Sequence, residues 1–321
     1  MPLLEVKNLI KRFPAATSFL GKKKWVAAVN DVSFSMEEGE TLGLVGESGS
    51  GKSTVAKMLM ALLKPDSGTV RFEGENLHQL RGAGLKRARR NLQMIFQDPF
   101  SSLNPRQRVE SLLQEGMKIH HLGSPDEREK RCLELLKTVG LSEEALGKYP
   151  HEFSGGQRQR LGIARALSVL PKLLVCDEPV SALDVSIQAQ MINLLADLKA
   201  KYKLSYFFIS HDLRVVQHLS DRIAVMYLGR LVEILPSSQL LNCKHPYTQS
   251  LMASLPSPLQ GSVHLKALAG EPPSPLNPPS GCSFHPRCPF AEELCKQERP
   301  VLAELVPGHS VACHLVKKVH S

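Results

Sequence analysis

Short apolar runs that end in small or acidic residues recur along the chain and predict buried strands of an α/β sheet. One run is Thr41–Val45, a second covers 173–177, and a third precedes Ser210. The first run is followed by a glycine-rich loop and then by the apolar-rich segment 53–63, which is predicted to be a helix. The order strand, loop, helix is typical of an α/β protein.

The pattern changes in two other parts of the chain. From about 98 to 149 helix-forming residues dominate. After Leu235 proline, serine and glycine become frequent, most densely over 270–281, and this composition cannot continue a helix or a central strand. We expect the proline-rich part to be an ordered linker or a segment that wraps over the main domain.

Length and composition limit the function classes. A chain of 321 residues with 42% hydrophobic residues can form one large domain or two smaller ones. No apolar run reaches the roughly 18 residues of a membrane-spanning helix, and the first residues lack a secretory pattern, so we expect a cytosolic chain. The net charge of +9 suits nucleic acid or an anionic membrane surface. The basic clusters at 22–24 and 86–90 lack interleaved aromatic residues, so we do not expect direct nucleic-acid binding.

The loop from Gly46 to Ser53 has the form G-x-x-x-x-G-K-[ST] and predicts phosphate binding. Its glycines let successive N–H groups turn toward one anion. Lys52 is expected to meet the β- and γ-phosphates, and the Ser53 hydroxyl to complete a Mg²⁺ shell. A chance glycine-rich turn is the alternative, which the flanking strand and helix disfavour. The predicted nucleotide-binding residues are Gly46, Glu47, Ser48, Gly49, Ser50, Gly51, Lys52, Ser53 and Thr54.

The apolar run at 173–177 ends in two adjacent carboxylates, Asp177 and Glu178, and has the form of a Walker B motif. Asp177 is expected to hold Mg²⁺ through its water shell. Glu178 is expected to be the base that orients or deprotonates the attacking water. Two acids after a strand are common in loops, so the assignment of this motif depends on the other motifs in the chain.

The stretch Phe-Ser-Gly-Gly-Gln-Arg-Gln-Arg, which ends at Arg160, resembles the signature motif of ABC ATPases. Ser154, Gly155 and Gly156, followed by Gln157, place a hydroxyl and N–H groups at the start of a helix, which suits an anion. In that family this surface contacts the γ-phosphate of ATP held by the opposing subunit. The resemblance implies an ABC cassette, built from a core sheet, an antiparallel β subdomain and a helical subdomain, that hydrolyses ATP as a head-to-tail dimer.

Further segments resemble family motifs in the family's order. Phe13 resembles the aromatic residue that stacks on adenine, although tyrosine is frequent there, 14–25 looks like an insertion, and a surface or core phenylalanine is the alternative. Gln97 resembles the Q-loop glutamine, which joins the Mg²⁺ and water site to the helical subdomain. Asp184 ends a Ser-Ala-Leu-Asp match to the D-loop at the dimer interface. His211 resembles the switch histidine, which hydrogen-bonds the γ-phosphate.

The resemblance implies ATP and Mg²⁺ as ligands and Lys52, Gln97, Glu178 and His211 as catalytic residues. A regulatory homologue without activity is the alternative, and the intact motifs argue against it. Ser53, Gln97 and Asp177 are the implied Mg²⁺ ligands.

The matches also define the domain organisation. They cover about 3–235, and we predict a nucleotide-binding domain over 1–235 with its helical subdomain at about 98–165. In the family the segment from about 98 to 149 docks on the cytoplasmic coupling helix of a transmembrane partner. The C-terminal extension is predicted over 236–321.

The segment Lys-His-Pro-Tyr-Thr-Gln-Ser-Leu at 244–251 resembles one found in oligopeptide and dipeptide importer ATPases. The amino-acid sequences of 98–106 and 176–190 resemble those of the F-type ATPase of such importers. The implied partners are a D-type ATPase, two membrane permeases and an external peptide-binding protein, with this chain peripheral to the cytoplasmic face of the cell's inner membrane. Nickel chelates or glutathione are alternative cargoes, and a soluble ABC ATPase that acts on nucleic acid is the alternative from another class.

Four of the seven cysteines lie in the last forty residues: Cys282, Cys288, Cys295 and Cys313. Disulfides are disfavoured in a reducing cytosol, and zinc sites usually show closer C-x₂₋₄-C pairs. The arrangement resembles the cysteine tail of peptide-importer ATPases, which implies a 4Fe-4S cluster that staples the tail. Zinc and free thiols remain alternatives.

The other candidate ligands are less well placed. His285 and His314 are possible substitutes for a thiolate, but with four cysteines present we expect them to be neighbours. The scattered cysteines are expected to be buried core residues: Cys132, Cys176 and Cys243.

Overall fold

The computed structural model describes residues 1–15, 24–98, 103–254, 271 and 273–316. Parts of several stretches singled out above therefore lie outside the described residues, among them the insertion at 14–25, the basic cluster at 22–24, the stretch 98–106, the proline-rich run at 270–281 and the extension at 236–321.

The strands are β1 (Leu4–Pro14), β2 (Trp25–Met36), β3 (Thr41–Val45), β4 (Ser67–Phe72), β5 (Glu75–Asn76), β6 (Leu92–Ile95), β7 (Leu173–Asp177), β8 (Ser205–Ile209), β9 (Arg222–Tyr227), β10 (Arg230–Pro236), β11 (Ala303–Val306) and β12 (His309–Val311). The helices are α1 (Lys52–Leu59), α2 (Gly82–Asn91), α3 (Val109–Ile119), α4 (Pro125–Thr138), α5 (Gly155–Leu167), α6 (Val185–Tyr202), α7 (Leu213–Leu219), α8 (Pro246–Ala253) and α9 (Glu293–Gln297). Short 3₁₀ turns cover Glu143–Gly147, Pro150–Glu152, Ser237–Asn242 and His285–Arg287.

Two sheets organise the described part of the chain. The central sheet has the order β11-β12-β10-β9-β3-β8-β7-β6, and its strands from β9 to β6 are parallel. A second, antiparallel sheet has the order β2-β1-β4-β5. The α/β class predicted from the sequence is therefore confirmed.

Alternation along the central strands builds a core on each side of the sheet. On β8, Tyr206 and Phe208 face the core shared with the helices α3 to α6, whereas Phe207 and Ile209 face the core shared with α1 and the antiparallel sheet. All four side chains are fully buried. A strand covered on both faces reads as a continuous apolar run, which explains the runs seen in the sequence.

The helix predicted over 53–63 is shorter than expected. It ends at Leu59, and Ala61 adopts a left-handed conformation with φ of 50°. The N–H groups of Leu62 and Leu63 both turn back to the carbonyl of Lys57. The left-handed turn at Ala61 therefore ends the helix well before Pro65, which by itself would disfavour helical backbone only at Lys64.

Helices α3, α4 and α5 pack together on one side of the central sheet. Ser124 and Glu127 form a reciprocal capping box at the start of α4, which fixes where that helix begins. Within the described ranges, no helix combines the length and the apolar character that crossing a bilayer requires.

The C-terminal residues pack onto the cassette instead of only linking to it. β12 pairs with β10, and β11 pairs with β12, so the extension adds two strands to the central sheet. The carboxylate of Glu233 on β10 is fully buried and accepts a hydrogen bond from His309 Nε2 on β12 at 2.8 Å. It also accepts the N–H groups of Lys244 and His245, at 2.6 and 3.2 Å. The sequence pattern did not predict these two strands.

Candidate nucleotide-binding and hydrolysis site

Residues 46–54, called the phosphate loop below, join β3 to α1 and are pressed against neighbouring backbone. Gly51 has φ of 107°, and a Cβ atom there would lie 2.1 Å from the carbonyl oxygen of Ala28. A Cβ atom on Gly46 would lie 2.1 Å from the carbonyl oxygen of Met226. Only glycine fits at either position without a backbone shift, so the loop conformation is fixed by β2 and β9.

Lys52 lies at the first position of α1 with its ammonium group turned back over the loop. Its Nζ donates to the carbonyl oxygens of Gly46 and Glu47 at 2.8 and 3.0 Å. Burial lowers the pKa of Lys52, and the nearby carboxylates of Glu178 and Asp177 oppose that effect. The structure therefore places a buried cation beside the N-terminus of a helix, a combination suited to phosphate groups.

The side chains of Ser53 and Asp177 meet, although they are far apart in the sequence. Ser53 Oγ donates to Asp177 Oδ1 at 3.0 Å. Burial raises the pKa of Asp177, while the Ser53 hydrogen bond lowers it. A hydroxyl and a carboxylate that converge beside a phosphate site are hard oxygen ligands of the kind Mg²⁺ takes, so the residues present fit this ion.

Glu178 is the meeting point of the remaining predicted catalytic residues. His211 Nδ1 lies 3.3 Å from Glu178 Oε2, and Gln97 Nε2 donates to the same oxygen at 3.4 Å. Glu178 has φ of 46°, an uncommon backbone conformation for a residue other than glycine. The three residues follow the carboxyl ends of β7, β8 and β6, which are neighbours in the sheet. The structure thus brings together residues that the sequence had assigned separately.

Phe13 lies near the end of β1 and is 38% exposed. It pairs with Val26 on β2, two residues from Ala28, which contacts the phosphate loop. The Lys11 ammonium lies 5.7 Å from the centre of its ring. An exposed aromatic ring on this edge is compatible with adenine stacking, and its role stays a prediction.

The signature segment, Ser154 to Gln157, begins α5. Ser154 caps the helix and forms a capping box with Gln157, whose amide oxygen accepts the Ser154 N–H at 3.0 Å. Ser154, Gly155 and Gln157 are exposed, whereas Gly156 is buried against Ile187 of α6. Asp184 is exposed at the start of α6. The predicted interface residues other than Gly156 therefore lie on the surface of the single chain.

Two residues of the C-terminal extension contact the phosphate loop, and the sequence patterns did not point to them. Tyr247 Oη accepts the Glu47 N–H at 2.9 Å. Arg287 donates to both carboxylate oxygens of Glu47, at 2.9 and 3.1 Å. Tyr247 belongs to the His-Pro-Tyr segment, and the resemblance of that segment to importer ATPases was the only sequence feature that drew attention to either residue.

The four tail cysteines lie near one another without forming a compact ligand set. Burial raises the pKa of Cys282, and the neighbouring thiols of Cys295, Cys313 and Cys288 raise it further. Over the residues that the structure describes, no group of three or more His, Cys, Asp or Glu side chains is arranged to hold a metal ion. The residues present therefore do not form a ready metal site. The three scattered cysteines are buried, as predicted.

Comparisons with known proteins agree with this description. The family described as "ABC transporter" matches residues 29–181, and the family described as "Oligopeptide/dipeptide transporter, C-terminal region" matches residues 232–295. The chain is 50% identical over 319 residues to the oligopeptide transport ATP-binding protein AppF of Bacillus subtilis, covering 98% of this chain and 97% of that protein.

Two solved structures are also similar. One is the ATP-binding cassette MJ0796, solved as a dimer in a post-hydrolysis state with ADP and phosphate; the TM-score is 0.65 at 29% identity, over 73% of this chain and 98% of that one. The other is cbiO1 from Clostridium perfringens, part of the ABC transporter complex cbiONQ, with a TM-score of 0.63 at 26% identity over 75% of this chain and 91% of that one.

Proposed function

Because this chain belongs to the family of ABC transporter ATP-binding proteins and is an ATPase of that family, we propose that it powers the import of di- and oligopeptides through membrane permeases. The proposed cargo is supported above all by the similarity to AppF, a protein named for oligopeptide transport, along nearly the whole of both chains. The match of 232–295 to a transporter-specific C-terminal family supports a transporter over an ABC protein that acts on nucleic acid.

The proposed mechanism starts from the contacts around Glu178. Glu178 accepts the proton of the attacking water or orients that water, and His211 and Gln97 hold its carboxylate through one oxygen. Lys52 offsets the charge of the phosphates. Ser53 and Asp177 would hold Mg²⁺, with Gln97 as the third proposed ligand, and the ion would supply further charge neutralisation at the phosphates.

The exposed signature segment supports hydrolysis in a head-to-tail dimer. Its N–H groups and the Ser154 hydroxyl lie at the exposed start of a helix of 13 residues, a position suited to an anion. We propose that they contact the γ-phosphate bound by a second ATPase chain, of the D type, and that Asp184 lies at the same interface. The dimeric state of MJ0796 supports this arrangement.

A cleft between α2 and α3 supports docking of a permease. The cleft has a volume of about 420 Å³ and combines three basic residues, Lys86, Arg89 and Arg165, and one acidic residue, Glu115, with Ile119, which is 52% exposed. An apolar residue within a basic rim suits a short amphipathic helix that carries acidic residues. We propose that a cytoplasmic helix of the permease binds here and that this chain is peripheral to the cytoplasmic face of the inner membrane.

The test of the proposed cargo is hydrolysis by the purified importer. The chain is co-purified with its permeases and second ATPase and reconstituted in lipid vesicles, and the ATPase rate is measured with the external binding protein and dipeptides, longer peptides, glutathione or a nickel chelate. A complex that carries Glu178→Gln gives the background rate. Stimulation by dipeptides or longer peptides, without stimulation by glutathione or the nickel chelate, supports the proposal. Stimulation only by glutathione or the nickel chelate, or only by ribosomes or DNA added to the free chain, contradicts it.

We further propose that the tail thiolates, Cys282, Cys288, Cys295 and Cys313, hold a 4Fe-4S cluster, with zinc as the alternative. The support is the mutual proximity of four thiols in a short segment. When bound, either group supplies folding free energy to the tail.

Metal content tests the cluster independently of ATPase activity. Anaerobically purified protein is expected to contain about four iron and four acid-labile sulfide ions per chain. Cys295→Ser should lower both, and Cys243→Ser, a change of a buried cysteine outside the tail, should leave both unchanged. One equivalent of zinc without iron, or no metal, would overturn the cluster.

A further inference from the structure

The C-terminal extension contacts the phosphate loop through an ion pair between two residues that are 240 positions apart in the sequence. Arg287 binds Glu47 with two parallel hydrogen bonds, and only 5% of the arginine side chain and 23% of the glutamate side chain are exposed. Burial lowers the pKa of Arg287, but the hydrogen bonds to Glu47 and Tyr227 outweigh that effect and the pKa is raised. A bidentate guanidinium–carboxylate pair with little solvent access is among the stronger polar contacts in proteins.

A cluster of aromatic rings holds Arg287 and Tyr247 in place. The rings of Tyr227 and Tyr247 lie 4.6 Å apart, and Phe284 packs against both, with centroid distances of 5.3 and 5.4 Å. All three rings are fully buried. Arg287 Nη1 lies 3.4 Å from Tyr227 Oη. The rings come from β9, from α8 and from the segment before Cys288, so the extension presents Arg287 from a packed support and not from a mobile tail.

The peptide unit between Gly46 and Glu47 is bound on both sides. Its N–H donates to Tyr247 Oη at 2.9 Å, and its carbonyl oxygen accepts from Lys52 Nζ at 2.8 Å. In a trans peptide these two groups point in opposite directions. Tyr247 therefore fixes the orientation of the carbonyl that contacts the lysine expected to bind phosphate.

The charge of Glu47 acts on the same lysine. Glu47 is one of three carboxylates whose charge Lys52 senses, together with Glu178 and Asp177. An unpaired carboxylate in the phosphate loop competes with phosphate oxygens for that ammonium group and repels the polyphosphate chain. Pairing with Arg287 cancels this charge at its source.

We propose that Arg287 and Tyr247 are positioning residues for ATP binding: Arg287 neutralises Glu47, and Tyr247 orients the peptide unit that faces Lys52. The C-terminal extension is thereby part of the ATP site, although neither residue touches the reacting atoms. Both contacts act on the ground-state loop and not on the attacking water. Their loss therefore weakens binding of ATP and transition state alike, which raises KM and leaves kcat nearly unchanged.

The test is a double-mutant cycle in the assembled importer. Arg287→Ala is expected to raise the KM for ATP about tenfold and to change kcat less than about twofold, because the uncompensated Glu47 carboxylate then competes for Lys52 and repels the phosphates. In a Glu47→Gln background, the same Arg287→Ala change should raise KM less than about twofold, since no carboxylate is left to neutralise. Arg299→Ala, a change of an exposed arginine in the same extension, serves as the matched control and should leave KM unchanged.

Two further variants separate positioning from a purely structural role. Arg287→Lys keeps the charge but loses the two-pronged contact, and its KM should fall between those of wild type and Arg287→Ala. Tyr247→Phe keeps the ring and removes the hydroxyl, and it should also raise KM without lowering the melting temperature by more than a few degrees. Binding of a fluorescent ATP analogue to the full chain provides the readout if Arg287→Ala assembles poorly.

The proposal fails if Arg287→Ala leaves the KM for ATP unchanged in a folded complex. It also fails if Arg287→Ala has the same effect on KM with glutamate and with glutamine at position 47, because the arginine would then act on the fold and not on the charge of the loop.

Discussion

His211 Nδ1 lies 3.3 Å from Glu178 Oε2, and the register of two parallel strands sets this distance. Asp177 at the end of β7 pairs with Ile209 at the end of β8, and the Glu178 N–H donates to the Ile209 carbonyl at 3.0 Å. The two side chains therefore leave the sheet side by side. A carboxylate and an imidazole placed this way can share the handling of one proton or one water molecule.

Glu178→Gln should abolish turnover while ATP still binds. The amide keeps the size and shape of the side chain but cannot accept a proton, so kcat should fall by about 10²- to 10⁴-fold. Hydrolysis is measured in the assembled importer, and binding is measured with a fluorescent ATP analogue. Normal hydrolysis by a complex that carries this change would refute the assigned base.

Two substitutions of Ser154 should separate helix capping from phosphate contact. Ser154→Ala removes the cap of α5 and should cost about 1 kcal/mol of stability as well as activity. Ser154→Asp keeps a capping side chain and suits the helix dipole, so stability should be retained. Its negative charge, however, opposes the γ-phosphate of the partner's ATP, so hydrolysis should still fall at least tenfold.

Urea unfolding and the ATPase rate are measured on both Ser154 variants. If Ser154→Asp hydrolysed ATP at the wild-type rate, the signature segment would not face a phosphate group.

His309→Ala should destabilise the protein by about 3 kcal/mol, because it leaves the fully buried Glu233 carboxylate without its side-chain partner. The expected readout is a lower free energy of unfolding in urea, with faster hydrogen exchange on β12. His218→Ala, at an exposed position of α7, is the matched control and should change stability by less than about 0.5 kcal/mol. Equal effects of the two changes would show that the buried pair contributes nothing to stability.

Local spacing in the sequence selects the candidate residues of the ATP site, but it does not give the contacts between them. Lys52 and Ser53 are fixed by local spacing in one loop, so a motif identifies them. The contact of Ser53 with Asp177 depends on the order of strands, which is a long-range property. The early end of α1 at Leu59 had no comparable local signal, because Pro65 disfavours helix only at Lys64, beyond the predicted end at 63.

The extension shows where sequence reasoning fails. Tyr247 and Arg287 contact Glu47 across 200 and 240 residues, and no periodicity or spacing encodes such a contact. The pairing of β12 with β10 is hidden for the same reason, because β12 has only three residues and lies beyond a proline-rich run. Short strands added at a sheet edge depend on tertiary packing more than on intrinsic propensity.

Replacing His245 should change how stability depends on pH. Burial lowers the pKa of His245 to about 4, from an ordinary value of 6.5. The ring therefore stays neutral in the folded state while the unfolded chain takes up a proton below about pH 6.5. Its contribution to stability is complete above pH 6.5 and is lost as the pH falls toward 4, by about 3 kcal/mol in all.

His245→Asn removes this titration and keeps an acceptor for the Tyr247 N–H, which the His245 Nδ1 atom accepts at 3.1 Å. At pH 7.5 the variant should be less stable than wild type, because the smaller side chain leaves a cavity. The difference in the free energy of urea unfolding should shrink as the pH is lowered from 7 to 4.5, since only the wild type loses stability through this group. Groups that titrate in both proteins cancel in the difference. Parallel stability curves over this range would mean that the His245 ring is protonated as readily in the folded state as in the unfolded chain.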